Sequence, residues 1–316
     1  MNKIVSLVLT TLSLTTVVGF QAHQRLHASD TQPVAIQFKG AVGDIDFRCG
    51  ESYRLGSDPM MATPADFRFY VSDVELIDAA GNAVPVTLEQ DGKWQYQNVA
   101  LLDFEDKTGA CANGTAETRD RITGTVPVGD YEGLRFTLGV PFDLNHADAT
   151  LAPSPLNLTA MWWNWRGGYK FVRIDLETGN MAASASETKR EGGHGSHGDG
   201  HSGHGDAHQA GGAGFSIHLG STGCQAAADS QQPTACSNPN RATVTFEDFD
   251  PAEHVVAADL AALVSDNDLM ANAPNTAVGC MSAPDDGDCQ GILHNFGLAF
   301  GAQATPGQAF FRVDDR

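Results

Sequence analysis

Basic side chains are scarce in this chain of 316 residues, where 19 Lys and Arg stand against 39 Asp and Glu for a formal net charge of −20. A surface of that sign repels polyanions, which argues against nucleic acid and anionic membranes as partners. Solubility in a dilute extracellular medium accounts for the charge at least as well as recruitment of cations does. Long apolar runs are missing after residue 20, so no membrane span is expected once the leader is gone. There is no CxxC pair of the kind used for redox work or zinc fingers, no proline-rich or serine-rich hinge, and no internal repeat.

What is present begins with MNKIVSLVLTTLSLTTVVGF, in which Lys3 precedes an uncharged run from Ile4 to Phe20. That is the n-region and h-region of a signal peptide, over residues 1–22. Cleavage after Ala22 or Ala28 is open, and cleavage after Ala22 would make His23 the new N-terminus. Export fits six cysteines, an even count that reads as a disulfide framework. Cys224 with Cys236 and Cys280 with Cys289 are close in sequence and flanked by turn formers, which leaves Cys49 with Cys111.

Residues 33–316 read as a single all-β domain, an antiparallel sandwich or barrel. VAIQF (34–38), DFRFYVSDVELI (66–77), LRFTLGV (134–140), YKFVRIDL (169–176), FSIHL (215–219) and ATVTFEDF (242–249) alternate as half-buried strands do, with turn formers between them. One helix is expected over 251–265, where Asp250 would cap, Pro251 would take the first position, Glu253 would complete the box, and Val255, Val256, Leu260, Leu263 and Val264 would form a stripe. From 191 to 214 the chain reads EGGHGSHGDGHSGHGDAHQAGGAG, which has too little apolar surface to offset the entropy of ordering, so a flexible insertion in a hairpin connection is expected there.

The chemistry-bearing residues are histidines and tryptophans. The insertion carries His194, His197, His201, His204 and His208 at spacings of three and four, and neutral imidazoles on a flexible tether converge readily on Cu(II), Ni(II) or Zn(II). Copper would win wherever it is available. Such a tether suits a buffering arm, since a catalytic site needs rigid ligands. In the ordered part, His146 lies in DLNHADA, His218 in FSIHLGSTGC, His254 in the expected helix and His294 in GILHNFG. MWWNWRGGYKF, residues 161–171, holds three of the four tryptophans; alternation would put Met161, Trp163 and Trp165 on one face and Trp162 with Asn164 on the other. Core filling would explain them as well as a binding role.

Taken in order, DFRFYVSDVELID, GVPFDLNHADA, PLNLTAMWWNWRGGYKFVRIDLE and FSIHLGSTGC resemble the MbnP-like family, the four-Cys members of a secreted bacterial metallo-mystery pair, over roughly residues 33–300. The resemblance implies a periplasmic or secreted copper-binding protein of copper acquisition or homeostasis. It implies a dihaem, MauG-like cytochrome c peroxidase relative as partner, oxidising a tryptophan to kynurenine. The family's motifs map onto His146 and His218 as rigid Cu(I) or Cu(II) ligands and onto Trp162, Trp163 and Trp165 as kynurenine positions, with Trp163 and Trp165 the better matched. The chain departs from the pattern with six cysteines where the family name promises four, and with a histidine insertion that maps onto none of the core motifs. No catalytic residue is implied. Two other readings remain open: a copper oxidoreductase using an N-terminal His23 chelate, and a zinc buffer working through the His-rich loop.

Overall fold

The alternating run that opens at Met60 becomes the spine of the fold. In a computed structural model, which describes residues 30–179, 214–226, 232–303 and 307–316, the strand Met60–Asp78 runs for 19 residues. Its first half pairs antiparallel with Val172–Thr178 and its second half with Tyr131–Leu138, while Val99–Asp103 pairs alongside its centre. Both of its faces are covered from Phe67 to Ser72. Phe67 and Phe69 point into the sandwich, and Asp66, Arg68 and Tyr70 lie on the opposite face, as the two-residue period of a strand requires.

Two sheets form the sandwich expected of an all-β chain. The larger has ten strands and the central order Ala242–Phe246, Tyr131–Leu138, Met60–Asp78, Val172–Thr178, Gly214–Leu219, Gly279–Cys280; the smaller has six, centred on Thr31–Val42. Phe38, Phe69, Phe136 and Phe311 meet edge to face between them, with Phe136 and Phe311 centroids 5.1 Å apart. Each such pair contributes about 0.5–1.5 kcal/mol beyond its area burial. Two short ribbons, Trp162–Asn164 with Gly168–Tyr169 and Thr222–Ala226 with Pro233–Asn238, stand apart from the sheets. Residues Thr31 to Arg316 make one compact unit. The strands Val172–Thr178 and Gly214–Leu219, which flank the histidine-rich insertion, pair directly, with Glu177 opposite Gly214. The insertion's five histidines, His23 and the leader lie outside the described residues.

Two local expectations change. The segment 251–265 is built around a strand: Asp250 closes a turn by accepting from Ala252 N at 2.7 Å, and His254–Asp259 then pairs parallel with Thr31–Val42 and antiparallel with Phe311–Asp315. Only Leu260–Leu263 is helical, capped by Asp259, whose Oδ1 accepts from Ala261 N at 2.9 Å. Val256, Ala257 and Ala258 are fully buried on a strand paired along both edges, and β-branched side chains favour that setting; over so short a span a two-faced apolar run mimics a helical stripe. Short helices also form at Phe142–Asn145 and Cys289–Asn295.

The tryptophan alternation also fails. Met161 ends a 3-10 turn, the strand is confined to Trp162–Asn164, and its register shifts at Trp163. Asn164 Oδ1 accepts from Arg166 N and Gly167 N, both at 2.9 Å, and this side-chain turn folds Trp165 back onto Trp162. Their rings meet edge to face at 5.8 Å.

Candidate metal centre

His146 follows the short helix Phe142–Asn145 and is buried. The preceding residue fixes its chemistry. Asn145 is itself buried, and its Oδ1 accepts from Tyr169 N at 2.8 Å, which settles the amide's orientation. Its Nδ2 therefore faces His146 Nε2, 3.1 Å away. On the other side of the ring, Nδ1 lies 3.4 Å from the carbonyl oxygen of Trp165. A carbonyl needs a donor and an amide NH2 needs an acceptor, so Nδ1 carries the proton and Nε2 carries the lone pair. Burial lowers the imidazole's pKa, offset in part by the Trp165 carbonyl, which favours the neutral ring a metal requires.

Nε2 also lies against the disulfide Cys224–Cys236, with Cys236 Sγ at 3.4 Å and Cys224 Sγ at 4.0 Å. The two cysteines sit directly opposite one another in the ribbon Thr222–Ala226 with Pro233–Asn238. Among the described residues, His146, Cys224 and Cys236 form a cluster with ligand atoms within 4.8 Å of one another. Sequence reasoning placed these cysteines only in a disulfide. The chain signal for more is slight, since Cys224 shares FSIHLGSTGC with His218 but nothing local joins either to His146.

His218 is held by another network. It lies on Gly214–Leu219 opposite Arg173, and its Nε2 contacts Asp175 Oδ1 at 2.9 Å. Arg173 Nε bridges Asp175 at 2.9 Å and Asp66 at 3.0 Å. Burial works against the Asp175 carboxylate, yet the His218 hydrogen bond and the Arg173 charge hold its pKa well below the usual range. The carboxylate thus accepts a hydrogen bond from Nε2–H, which leaves the lone pair on Nδ1, buried and without a partner among the described residues. Burial also lowers the pKa of His218, despite Asp175. In both imidazoles one nitrogen is tied to an acceptor, which is how outer groups orient metal-bound histidines, and the other carries the lone pair, unpartnered in His218 and accepting from Asn145 Nδ2 in His146. Indirect links join them, because Gly220, two residues beyond His218, packs against the Trp163 ring, and Ser221 Oγ accepts from Asn145 Nδ2 at 3.4 Å.

Trp163 borders an open cavity of about 550 Å³ whose wall includes Arg166, Thr222, Cys224 and Met281. A Cβ at Gly220 would overlap the indole, so the ring lies flush on bare backbone there. Trp162 packs against the core, and its Nε1 is buried with no partner among the described residues. Another cavity, of about 500 Å³, is lined by residues such as Gln32, Tyr131 and Arg316 and has no histidine or cysteine in its wall. His254 is structural, its Nδ1 accepting from Asp250 N at 2.9 Å, and His294 lies on the helix Cys289–Asn295. The other disulfides are Cys49–Cys111 and Cys280–Cys289, so all three expected pairings form. No helix among the described residues is long and apolar enough to cross a membrane.

Comparison with known proteins agrees with this fold. The MbnP family model matches residues 31–282. A solved structure, MbnP from Methylosinus trichosporium, is 30% identical, covers 90% of this chain and 99% of its own length, and superposes with a TM-score of 0.72. No curated protein matches.

Proposed function

We propose that this chain, which belongs to the MbnP family, is a secreted, non-enzymatic copper-binding protein of bacterial copper acquisition or homeostasis. Family membership and the His146 cluster support a metal-related role. The observation that carries copper is a pair of neutral imidazoles of fixed tautomer, in which the lone pair of His218 Nδ1 is buried with no partner among the described residues and that of His146 Nε2 is held by the amide of Asn145. Imidazole nitrogens suit copper in both oxidation states, and a buried, unpartnered nitrogen costs stability unless something occupies it. His146 and His218 would hold the ion, while the Trp165 carbonyl and Asp175 would orient them. Bound there, copper is cargo.

Indole offers no lone pair to a metal. Oxidation of Trp163 or Trp165 to kynurenine, which supplies an aniline nitrogen and a ketone, would complete the donor set; Trp163 is favoured because it borders the cavity that reaches Cys224. The electrons leave for a dihaem, MauG-like partner. Trp165 and Trp162, edge to face at 5.8 Å, offer a hopping step. The adjoining Tyr169 and Tyr70 give their phenol protons to the Leu156 and Pro155 carbonyls, which are not bases, so the hole rests on the indoles.

Equilibrium dialysis of the disulfide-intact protein against Cu(I) and against Cu(II) tests the copper reading, and a metal-free protein in both would overturn it. Intact mass after co-expression with the dihaem partner tests the modification. The expected change is a net gain of one oxygen and loss of one carbon, abolished by Trp163→Phe. A modification that persists in each of the Trp162→Phe, Trp163→Phe and Trp165→Phe variants would remove all three sites.

A further inference from the structure

The disulfide beside His146 has a feature that its structural role does not require. A covalent bridge needs no imidazole, yet His146 Nε2, while accepting from Asn145 Nδ2, sits 3.4 and 4.0 Å from the two sulfurs, and two hydrogen bonds fix the ring there: Tyr169 N to Asn145 Oδ1 and Nδ1 to the Trp165 carbonyl. We infer that Cys224–Cys236 is the closed state of a redox-gated metal site, in which reduction of the bridge frees two thiolates that hold a soft cation together with His146 Nε2. The inference does not rest on copper binding by the oxidised chain.

Three further observations support it. The ligand atoms already lie within 4.8 Å of one another, so a Cys2His set forms with little rearrangement. The cysteines face each other in register on a ribbon that has fastenings of its own, Asn238 Nδ2 donating to Thr222 Oγ1 at 3.2 Å and Ser237 Oγ to the Gly223 carbonyl at 3.4 Å, so cleavage need not part the strands. The bridge is also reachable. Cys224 and Cys236 are both partly exposed, whereas each of the other disulfides includes at least one fully buried cysteine. Cys224 opens onto the cavity that also carries Met281, whose thioether is another soft donor.

The chemistry balances with a dithiol as reductant. Its thiolate attacks Cys224 Sγ, the Sγ–Sγ bond breaks, and Cys236 leaves as a thiolate. The second thiol of the reductant resolves the mixed disulfide and releases Cys224, and the reductant leaves as its own disulfide. Thiolates, unlike the disulfide, are strong ligands for Cu(I), and binding sends their remaining protons to water. Exchange with an oxidised dithiol, the reverse of these steps, would re-form the bridge and expel the ion.

The test uses the purified full chain without oxygen. The protein is titrated with Cu(I) against a bicinchoninate competitor, first oxidised and then after reduction with a phosphine that is removed by desalting. At a bicinchoninate concentration that strips Cu(I) from the oxidised protein, the reduced protein should retain one equivalent, an increment over the oxidised form. Cys224→Ser/Cys236→Ser should show no increment under the same reductant, and His146→Gln should weaken it by about tenfold or more. Capping the reduced wild type with iodoacetamide should also remove the increment, which keeps the test independent of how the serine variant folds. No increment in the reduced wild type, or an equal one in the double serine variant, would overturn the inference. Copper binding by the oxidised protein is read in the first titration, so its failure is a separate result.

Discussion

The positioning of His146 can be tested through a glycine that never touches it. Gly168 adopts φ +73° at the foot of the tryptophan ribbon, and a Cβ there would overlap both the side chain and the carbonyl of Asn145. Gly92 adopts nearly the same conformation, φ +74°, with nothing within 4 Å of the same virtual atom. The two alanine variants therefore share the backbone cost, about 1–2 kcal/mol for an L-residue in the left-handed region. Gly168→Ala adds crowding in a packed site, about 1–3 kcal/mol. If Asn145 moves, the buried Tyr169 N–H loses its acceptor, for about 1–3 kcal/mol more. Gly168→Ala should thus cost roughly 3–8 kcal/mol against about 1–2 for Gly92→Ala, a large share of an ordinary folding stability. Denaturant midpoints with disulfides intact measure the difference, and nitrogen-15 shifts of the imidazole report whether Nε2 keeps its lone pair. Equal losses in the two variants, or an unchanged His146 tautomer in Gly168→Ala, would refute the argument that Asn145 sets the site.

Asp103 is buried, and that burial raises its carboxyl pKa to about 8, so the folded chain holds a proton that the unfolded chain has released from pH 4 upward. Folding takes up that proton, so this contribution is complete below about pH 4 and is lost as pH rises towards 8; Asp103→Asn should flatten the slope and gain roughly 2–4 kcal/mol at pH 7 in denaturant melts. An unchanged slope would mean that Asp103 ionises freely in the fold. His146 and His218 act in the opposite sense: burial lowers both pKa values, so the unfolded chain binds protons first as pH falls below about 6.5, and stability should drop towards pH 5. Replacing both by Gln should remove that acid-side loss. Asp175→Asn should weaken copper by about 10–100-fold in competition titrations with little change in the sheet's circular dichroism, and an unaltered affinity would exclude His218 as a ligand. Deleting residues 192–212 should lower total copper bound and leave one tight site; loss of all binding would favour the zinc-buffer reading of the loop.

Much of the architecture was legible because a strand's period is local. Leu134, Phe136, Leu138 and Val140 are all fully buried, as their alternation requires, and the insertion falls between strands that pair. The segment 251–265 was misread because the burial of its second face depends on two strands, Thr31–Val42 and Phe311–Asp315, that are far away in sequence. The tryptophan run was misread because one side chain, Asn164, turns the backbone and cancels the alternation.

At the site, residue type limits which side chains can ligate a metal or lose electrons, and the family motifs singled out His146, His218 and the three clustered tryptophans as candidates. Spacing paired the cysteines, since short separations with turn formers leave few closures. Which imidazole nitrogen carries the lone pair could not be read this way. It depends on Asn145 meeting Tyr169 across 24 residues and on Asp175 meeting His218 across 43. The approach of His146 to a bridge 78 and 90 residues further on belongs to the same class. Side-chain chemistry is carried by each residue, whereas the direction of a lone pair is set by neighbours that only the packed sheets and loops bring within hydrogen-bond reach.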